Sequence, residues 1–114
     1  MASKTDKRIE AFRDLYLPKL IDAFRPSRVF VFGSRVQGIP LKESDLDLLV
    51  VSKFFEGIPF VQRTPHLLWT LRVPFPIEAL CYTPEEYERK RIEMGVVRVA
   101  SEEGVDLLAD EGHK

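Results

Sequence analysis

A chain of 114 residues has room for one domain and none for two, and at this size it can bury a modest apolar core without staples. With 45% hydrophobic and 31% charged residues it is expected to be folded rather than disordered, and it holds no apolar run of the ~18 residues that span a bilayer. The single cysteine, Cys81, excludes an internal disulfide and a cysteine-rich metal site, and a net charge of -1 from 17 basic and 18 acidic side chains argues against a dedicated nucleic-acid binder while leaving room for a local basic groove. The polar start, Met1-Ala2-Ser3-Lys4-Thr5-Asp6-Lys7-Arg8, lacks the apolar centre of a signal peptide. No membrane partner is expected, and the cytoplasm is the expected compartment.

In chain order, Ile9, Phe12, Leu15, Tyr16, Leu20 and Phe24 recur at helical spacing, so a first helix is predicted from Thr5 to Phe24. Pro18 should kink or divide it, and Pro26 should end it. Arg28 to Phe32 is a β-branched and aromatic run and reads as a strand that Gly33 stops. Residues Ser34 to Gly38 suggest one helical turn and Ile39 to Ser44 a loop. Asp45 to Ser52 is a second strand, and its apolar end Leu48-Leu49-Val50-Val51 suits a central strand covered on both faces. Phe60 to Arg72 predicts a second long helix disturbed at Pro65, and Phe75 to Tyr82 a third strand.

Thr83-Pro84-Glu85-Glu86 is a strong helix start: Thr83 can cap, Pro84 fits the first turn, and Glu86 can return a bond to the cap. That helix is predicted to reach Met94, with Gly95 breaking it. A further turn or two lead to Gly104, and Val105 to Leu108 reads as a last short strand. The order predicts an α/β (α+β) domain: a small mixed sheet flanked by helices, with the helices on one side. The core is placed at about residues 28–108, with 109–114 a polar tail.

Three features carry chemistry. Gly33-Ser34 directly follows a strand, where a residue without Cβ lets the backbone approach a ligand and the following amides face a phosphate. Ser34 adds a hydroxyl, and Arg35 a guanidinium fork for phosphate. Asp45 and Asp47 stand two apart, so on a strand they share one face. Side-by-side carboxylates repel, and a divalent cation between them resolves the repulsion. Glu78 lies in another predicted strand. If that strand neighbours the first, it completes a three-carboxylate cluster able to hold two metal ions ~4 Å apart. Oxygen-only ligands favour Mg²⁺ or Mn²⁺ over Zn²⁺.

Gly33-Ser34-Arg35-Val36-Gln37-Gly38, followed after Ser34 by ten residues and then Asp45-Leu46-Asp47, resembles the signature of the DNA polymerase β-like nucleotidyltransferase superfamily, closest to its short minimal nucleotidyltransferase branch. Arg35, Gly38 and Ser44 also match that branch, and the resemblance runs from about Val29 to Leu108. It implies the polymerase β-like fold, with Gly33, Ser34, Arg35 and Ser44 on the phosphates of ATP or another nucleoside triphosphate. It further implies Asp45, Asp47 and Glu78 on the metal ions, with Glu78 assisting deprotonation of the acceptor. Many relatives carry Asp where this chain has Glu78. Small relatives pair with an all-helical HEPN partner in toxin–antitoxin modules, which implies a tyrosine of such a partner as acceptor.

Each feature also has a plainer reading. Gly-Ser after a strand is usually a turn, Asp-Leu-Asp can cap a loop, Glu78 can be a solvated strand residue, and Arg35 a surface residue. His66 has no ligand partners near it in the pattern, and His113 belongs to the polar tail. Cys81 fits a small core residue better than a nucleophile. Phe54, Phe60 and Trp69, with Phe55, are expected mainly in the core, or in part on a partner surface that a homodimer would use. The alternatives to catalysis are a binding module that neutralises a partner by contact and a nucleotide sensor without turnover.

Overall fold

The computed structural model describes residues 7–33 and 45–112. The first helical stretch begins as α1 (Lys7–Ala11), widens into a π-helical turn at Phe12–Tyr16 and resumes as α2 (Leu17–Phe24). Pro18 accounts for the widening. It has no amide hydrogen and crowds the preceding turn, and the Leu17 N–H reaches back five residues to the Phe12 carbonyl. The extra residue in that turn shifts the phase of the apolar face. Leu15, which even periodicity places inside, is 66% exposed, while Leu17 is fully buried. Arg25 ends α2 in the left-handed conformation (φ 48°).

Strands β1 (Arg28–Phe32), β2 (Leu46–Val51), β3 (Ile77–Tyr82) and β4 (Val105–Asp106) form one sheet in the order β3-β2-β1-β4. β1 runs antiparallel to both β2 and β4, and β2 runs parallel to β3. A parallel pair needs a crossover, and α3 (Phe60–Leu71) supplies it. Pro65 lies inside α3 without ending it. The bond it cannot donate belongs to the Val61 carbonyl, on an exposed residue where water can serve instead.

Both faces of the sheet are covered. Val29, Val31, Leu46, Leu48, Val50, Ala79 and Cys81 pack with Phe12, Leu17, Leu20, Phe24, Leu67 and Leu71 on one face. On the other, Phe30, Leu49, Val51 and Tyr82 pack with Tyr87, Val97 and Ala100, which come from α4 (Pro84–Lys90) and α5 (Val96–Glu103). The mixed sheet with flanking helices is as the sequence predicts, but the expectation of helices on one side only is corrected. α4 and α5 are short and mostly polar, and only three of their residues reach this face, too few for periodicity to signal.

The predicted start of α4 is realised as a capping box. The Glu86 N–H donates to Thr83 Oγ1 (3.2 Å), and the Thr83 N–H donates to Glu86 Oε1 (2.9 Å). Gly104 follows α5, and a Cβ there would lie 2.5 Å from the Ala100 carbonyl oxygen and 2.8 Å from that of Val31, so the close packing of α5 against β1 requires glycine. The last strand is shorter than predicted. Asp106 Oδ1 accepts from the N–H groups of Leu108 (3.0 Å) and Ala109 (3.4 Å), which starts a helix, α6 (Leu107–Gly112). The predicted strand end at Leu107–Leu108 and the start of the predicted tail are therefore helical.

The aromatic cluster is also corrected. Phe55 is fully buried, but Phe54 and Phe60 are exposed, and Trp69 is 71% exposed, with the Arg72 guanidinium 4.3 Å from its ring centre. His66 is exposed and stacks on Phe54. Cys81 is buried, and burial pushes its thiol up to about 11. Native protein should therefore react with thiol reagents at a rate set by unfolding, so labelling that is equally fast with and without denaturant would contradict this placement. Among the described residues, no helix is long and apolar enough to cross a membrane.

Candidate active site

The site is assembled by register. The last pair of the β1–β2 ladder is Phe32 with Asp47. On the other side of β2, the parallel ladder sets Asp47 beside Glu78. Alternation puts Phe32, Asp47 and Glu78 on one face, at the end of the sheet where β1 finishes and β2 and β3 begin. This is the face that α4 and α5 cover further along, over Phe30, Leu49, Val51 and Tyr82. At the carboxylate end Glu78 is exposed, while Asp45 and Asp47 are partly buried.

The electrostatics follow from this placement. The Asp47 carboxyl is raised above the usual aspartate value, first by burial, then by the charge of Glu78, then by that of Asp45, and by a hydrogen bond with Glu78. Neighbouring carboxylates concentrate negative potential at this end of the sheet, and a cation would relieve it.

Gly33 is required here for two reasons. Its φ of 86° lies in the left-handed region, and a Cβ on it would strike the Asp47 carboxylate. Gly33, directly after β1, thus lies against the carboxylate that β2 presents. Gly33→Ala is expected to displace Asp47 and to destabilise the fold by about 1–3 kcal/mol. Urea unfolding of the variant checks this, and unchanged stability would mean that the turn can move aside.

Of the residues singled out in the sequence, Gly33, Asp47 and Glu78 come together, and Asp45 is near enough for its charge to act on Asp47. Ser34, Arg35 and Ser44, the helical turn of 34–38 and His113 lie outside the described residues. The expected three-carboxylate metal cluster is not reproduced as such: among the described residues, no three His, Cys, Asp or Glu side chains are grouped to hold a metal ion. What stands there is a close pair with a third acid beside it. Sequence spacing did not show that Gly33 serves Asp47 directly. The signal was available only as a glycine one step past a strand whose antiparallel partner opens on an aspartate.

The sequence profile of the nucleotidyltransferase domain matches residues 10–103. The chain belongs to the nucleotidyltransferase domain family. The matched span contains Gly33, Asp45, Asp47 and Glu78, so this end of the sheet lies within the nucleotidyltransferase domain, and a role in nucleotidyl transfer follows in general terms. A crystal structure of a candidate nucleotidyltransferase from Sulfolobus solfataricus is similar to it, with a TM-score of 0.55 at 19% identity over 77% of this chain and 76% of that one. BolA1 from Arabidopsis thaliana is similar with a TM-score of 0.52 at 23% identity, over 71% of this chain and 96% of that one. At these identities both likenesses concern the fold alone, and a fold hosts more than one function. Comparison with curated proteins gave no match.

Proposed function

We propose that this nucleotidyltransferase domain moves a nucleoside monophosphate, AMP from ATP, onto an acceptor hydroxyl. The observation that carries the reading is the Asp47–Glu78 pair with Gly33, the residue after β1, packed against Asp47. The donors are carboxylate oxygens, which fit a hard cation, Mg²⁺ or Mn²⁺. Asp47 and Glu78, with Asp45 beside them, would hold it, and a second ion if the acids regroup around the substrate. When bound, the metal supplies charge neutralisation for the triphosphate.

The chain's own residues do the rest. The Gly33 turn brings backbone close to the phosphates. By the family resemblance, Ser34, Arg35 and Ser44 hold them. Glu78, the more exposed acid, takes the proton of the acceptor hydroxyl. The acceptor oxygen then bonds to the α-phosphorus as the bond to the β-phosphate oxygen breaks, and pyrophosphate leaves. Catalysis of this kind needs mainly positioning and electrostatic stabilisation.

The resemblance to the minimal branch supports a tyrosine of a HEPN partner as acceptor, in a cytoplasmic toxin–antitoxin pair. Exposed Phe54, Phe60 and Trp69 support a partner or homodimer surface. The test is incubation with ATP labelled at the α-phosphate, Mg²⁺ and a co-expressed helical partner. Label should move to the partner, and label placed at the γ-phosphate should not. No transfer, or equal transfer by Asp45→Asn/Asp47→Asn, sinks the reading. Because the described acids form a pair and not a trio, neutralisation of a partner by contact alone, or nucleotide sensing, is the second reading. It gains if Asp47→Asn still silences the partner.

A further inference from the structure

A cavity of about 550 Å³ opens on the sheet face that carries Asp47 and Glu78, but further along it, where α4 and α5 cross. Its floor is formed by Phe30 and Tyr87, and Arg28, Arg91 and Arg98 border it. These arginines come from three separate places: Arg28 opens β1, Arg91 caps α4 and Arg98 lies in α5. Each is held by a carboxylate. Arg91 donates through Nε to Glu88 (2.8 Å), Arg98 through Nε to Glu102 (3.2 Å), and Arg28 Nη1 lies 3.5 Å from Asp106 Oδ2. Tethering through Nε fixes a guanidinium in its plane and leaves the terminal nitrogens as donors. Each guanidinium is thus matched by one carboxylate, Glu102 and Asp106 within the lining and Glu88 just outside it, so what the cavity offers an anion is the unused terminal N–H groups of three converging arginines.

We infer that this cavity binds the phosphate group of a small phosphate monoester, at a site separate from the triphosphate site. A carboxylate has two oxygens and occupies one guanidinium fork, whereas a phosphate monoester has three terminal oxygens and can engage several forks at once. Arginines brought from three elements to one cavity favour the second geometry. Phe30 lies two residues along β1 from Phe32, the neighbour of Asp47, so the cavity floor is about 7 Å along the strand from the carboxylate end. The inference stands whether or not the domain turns over nucleotide.

The test is calorimetric titration of the metal-free protein, in chelator, with inorganic phosphate, AMP and glycerol phosphate. Wild type and Asp47→Asn should bind alike, and Arg91→Gln/Arg98→Gln should bind at least about tenfold more weakly. A preference for AMP over glycerol phosphate identifies the ligand as a nucleotide, and equal affinity identifies a simple phosphate ester. Both arginines are half exposed, so the double variant should keep the wild-type circular dichroism melt. No phosphate binding by wild type overturns the inference. So does binding lost in Asp47→Asn but kept in the arginine variant.

Discussion

Asp47→Asn is expected to remove nucleotidyl transfer while making the protein more stable. Asp47 sits in register beside Glu78, and like charges directly opposite across strands are destabilising by roughly 0.2–1 kcal/mol. The amide keeps the size and shape of the carboxylate and removes the repulsion, so the gain should appear as a rise in melting temperature of about 2–4 °C. The pH dependence has a definite sign. The folded carboxyl titrates above its ordinary value of 3.8, so the folded state holds the proton more tightly than the unfolded chain. The wild type pays this penalty in full at neutral pH and loses it as pH falls to 3.8 and below. The advantage of Asp47→Asn should therefore be largest at neutral pH and vanish in acid. Transfer should fall by a factor on the order of 10²–10³, the usual cost of removing one electrostatic anchor from a phosphate-handling site. Thermal melts at several pH values, set beside a transfer assay, check both halves. A variant that is less stable at neutral pH would show that Asp47 is held by attraction and that this end of the sheet is not a strained carboxylate pair.

The largest loss of stability should come from Arg63. It is 6% exposed, unusual for a charged residue, and its contacts explain the burial. Nε donates to the Ile58 carbonyl (2.8 Å) and Nη1 to the Cys81 carbonyl (3.2 Å), while Nη1 and Nη2 donate to Glu86 Oε1 (2.6 Å) and Oε2 (3.3 Å). One side chain thus joins the turn before α3, the end of β3 and the cap of α4. Arg63→Met keeps the volume but strands Glu86 and two carbonyls, at an expected cost of about 3 kcal/mol. Glu86→Gln keeps the cap partner and should cost less, about 1 kcal/mol. The Arg63 hydrogen bond is the main reason that the Glu86 carboxyl titrates below its ordinary value of 4.5. Its contribution is therefore complete above 4.5 and is lost as pH falls through the lower, folded value. Urea unfolding at neutral and acid pH checks this. Arg63→Met should lose more at neutral pH than in acid, and a loss below about 1 kcal/mol would show that the burial is incidental.

These two sites also show which parts of the molecule could be read from its sequence. Arg28–Phe32 and the apolar end of β2 were legible because β-branched and aromatic runs bounded by glycine and proline leave few alternatives, and the Thr83–Glu86 box was legible because a cap is local chemistry. Leu15 was misplaced because the register shift at Pro18 breaks the period that the reading relied on. Arg63 was invisible because its partners, Ile58, Cys81 and Glu86, meet it only after α3 crosses the sheet. Asp106 is a strand residue, as the pattern predicts, but its carboxylate also starts α6, so Leu107 and Leu108 are helical where the apolar run suggests strand. Aromatic character favours burial for Phe60 and Trp69 and leaves an exposed partner surface as the alternative; both are exposed, with the Trp69 ring against Arg72.

At the site, the pairing of Asp47 with Glu78 was foreseen on the condition that their strands adjoin, and the parallel register meets that condition. The role of Gly33 against Asp47 depends on three-dimensional closeness that spacing does not encode.

The most direct test of the account is calorimetric titration of wild type and Asp47→Asn with an ATP analogue that cannot be cleaved between its α- and β-phosphates, with and without Mg²⁺. The account predicts metal-dependent binding by wild type and loss of that metal dependence in Asp47→Asn, with the variant still folded. Equal, metal-dependent binding by both proteins would contradict it, because the nucleotide would then be held somewhere other than the carboxylate end of the sheet.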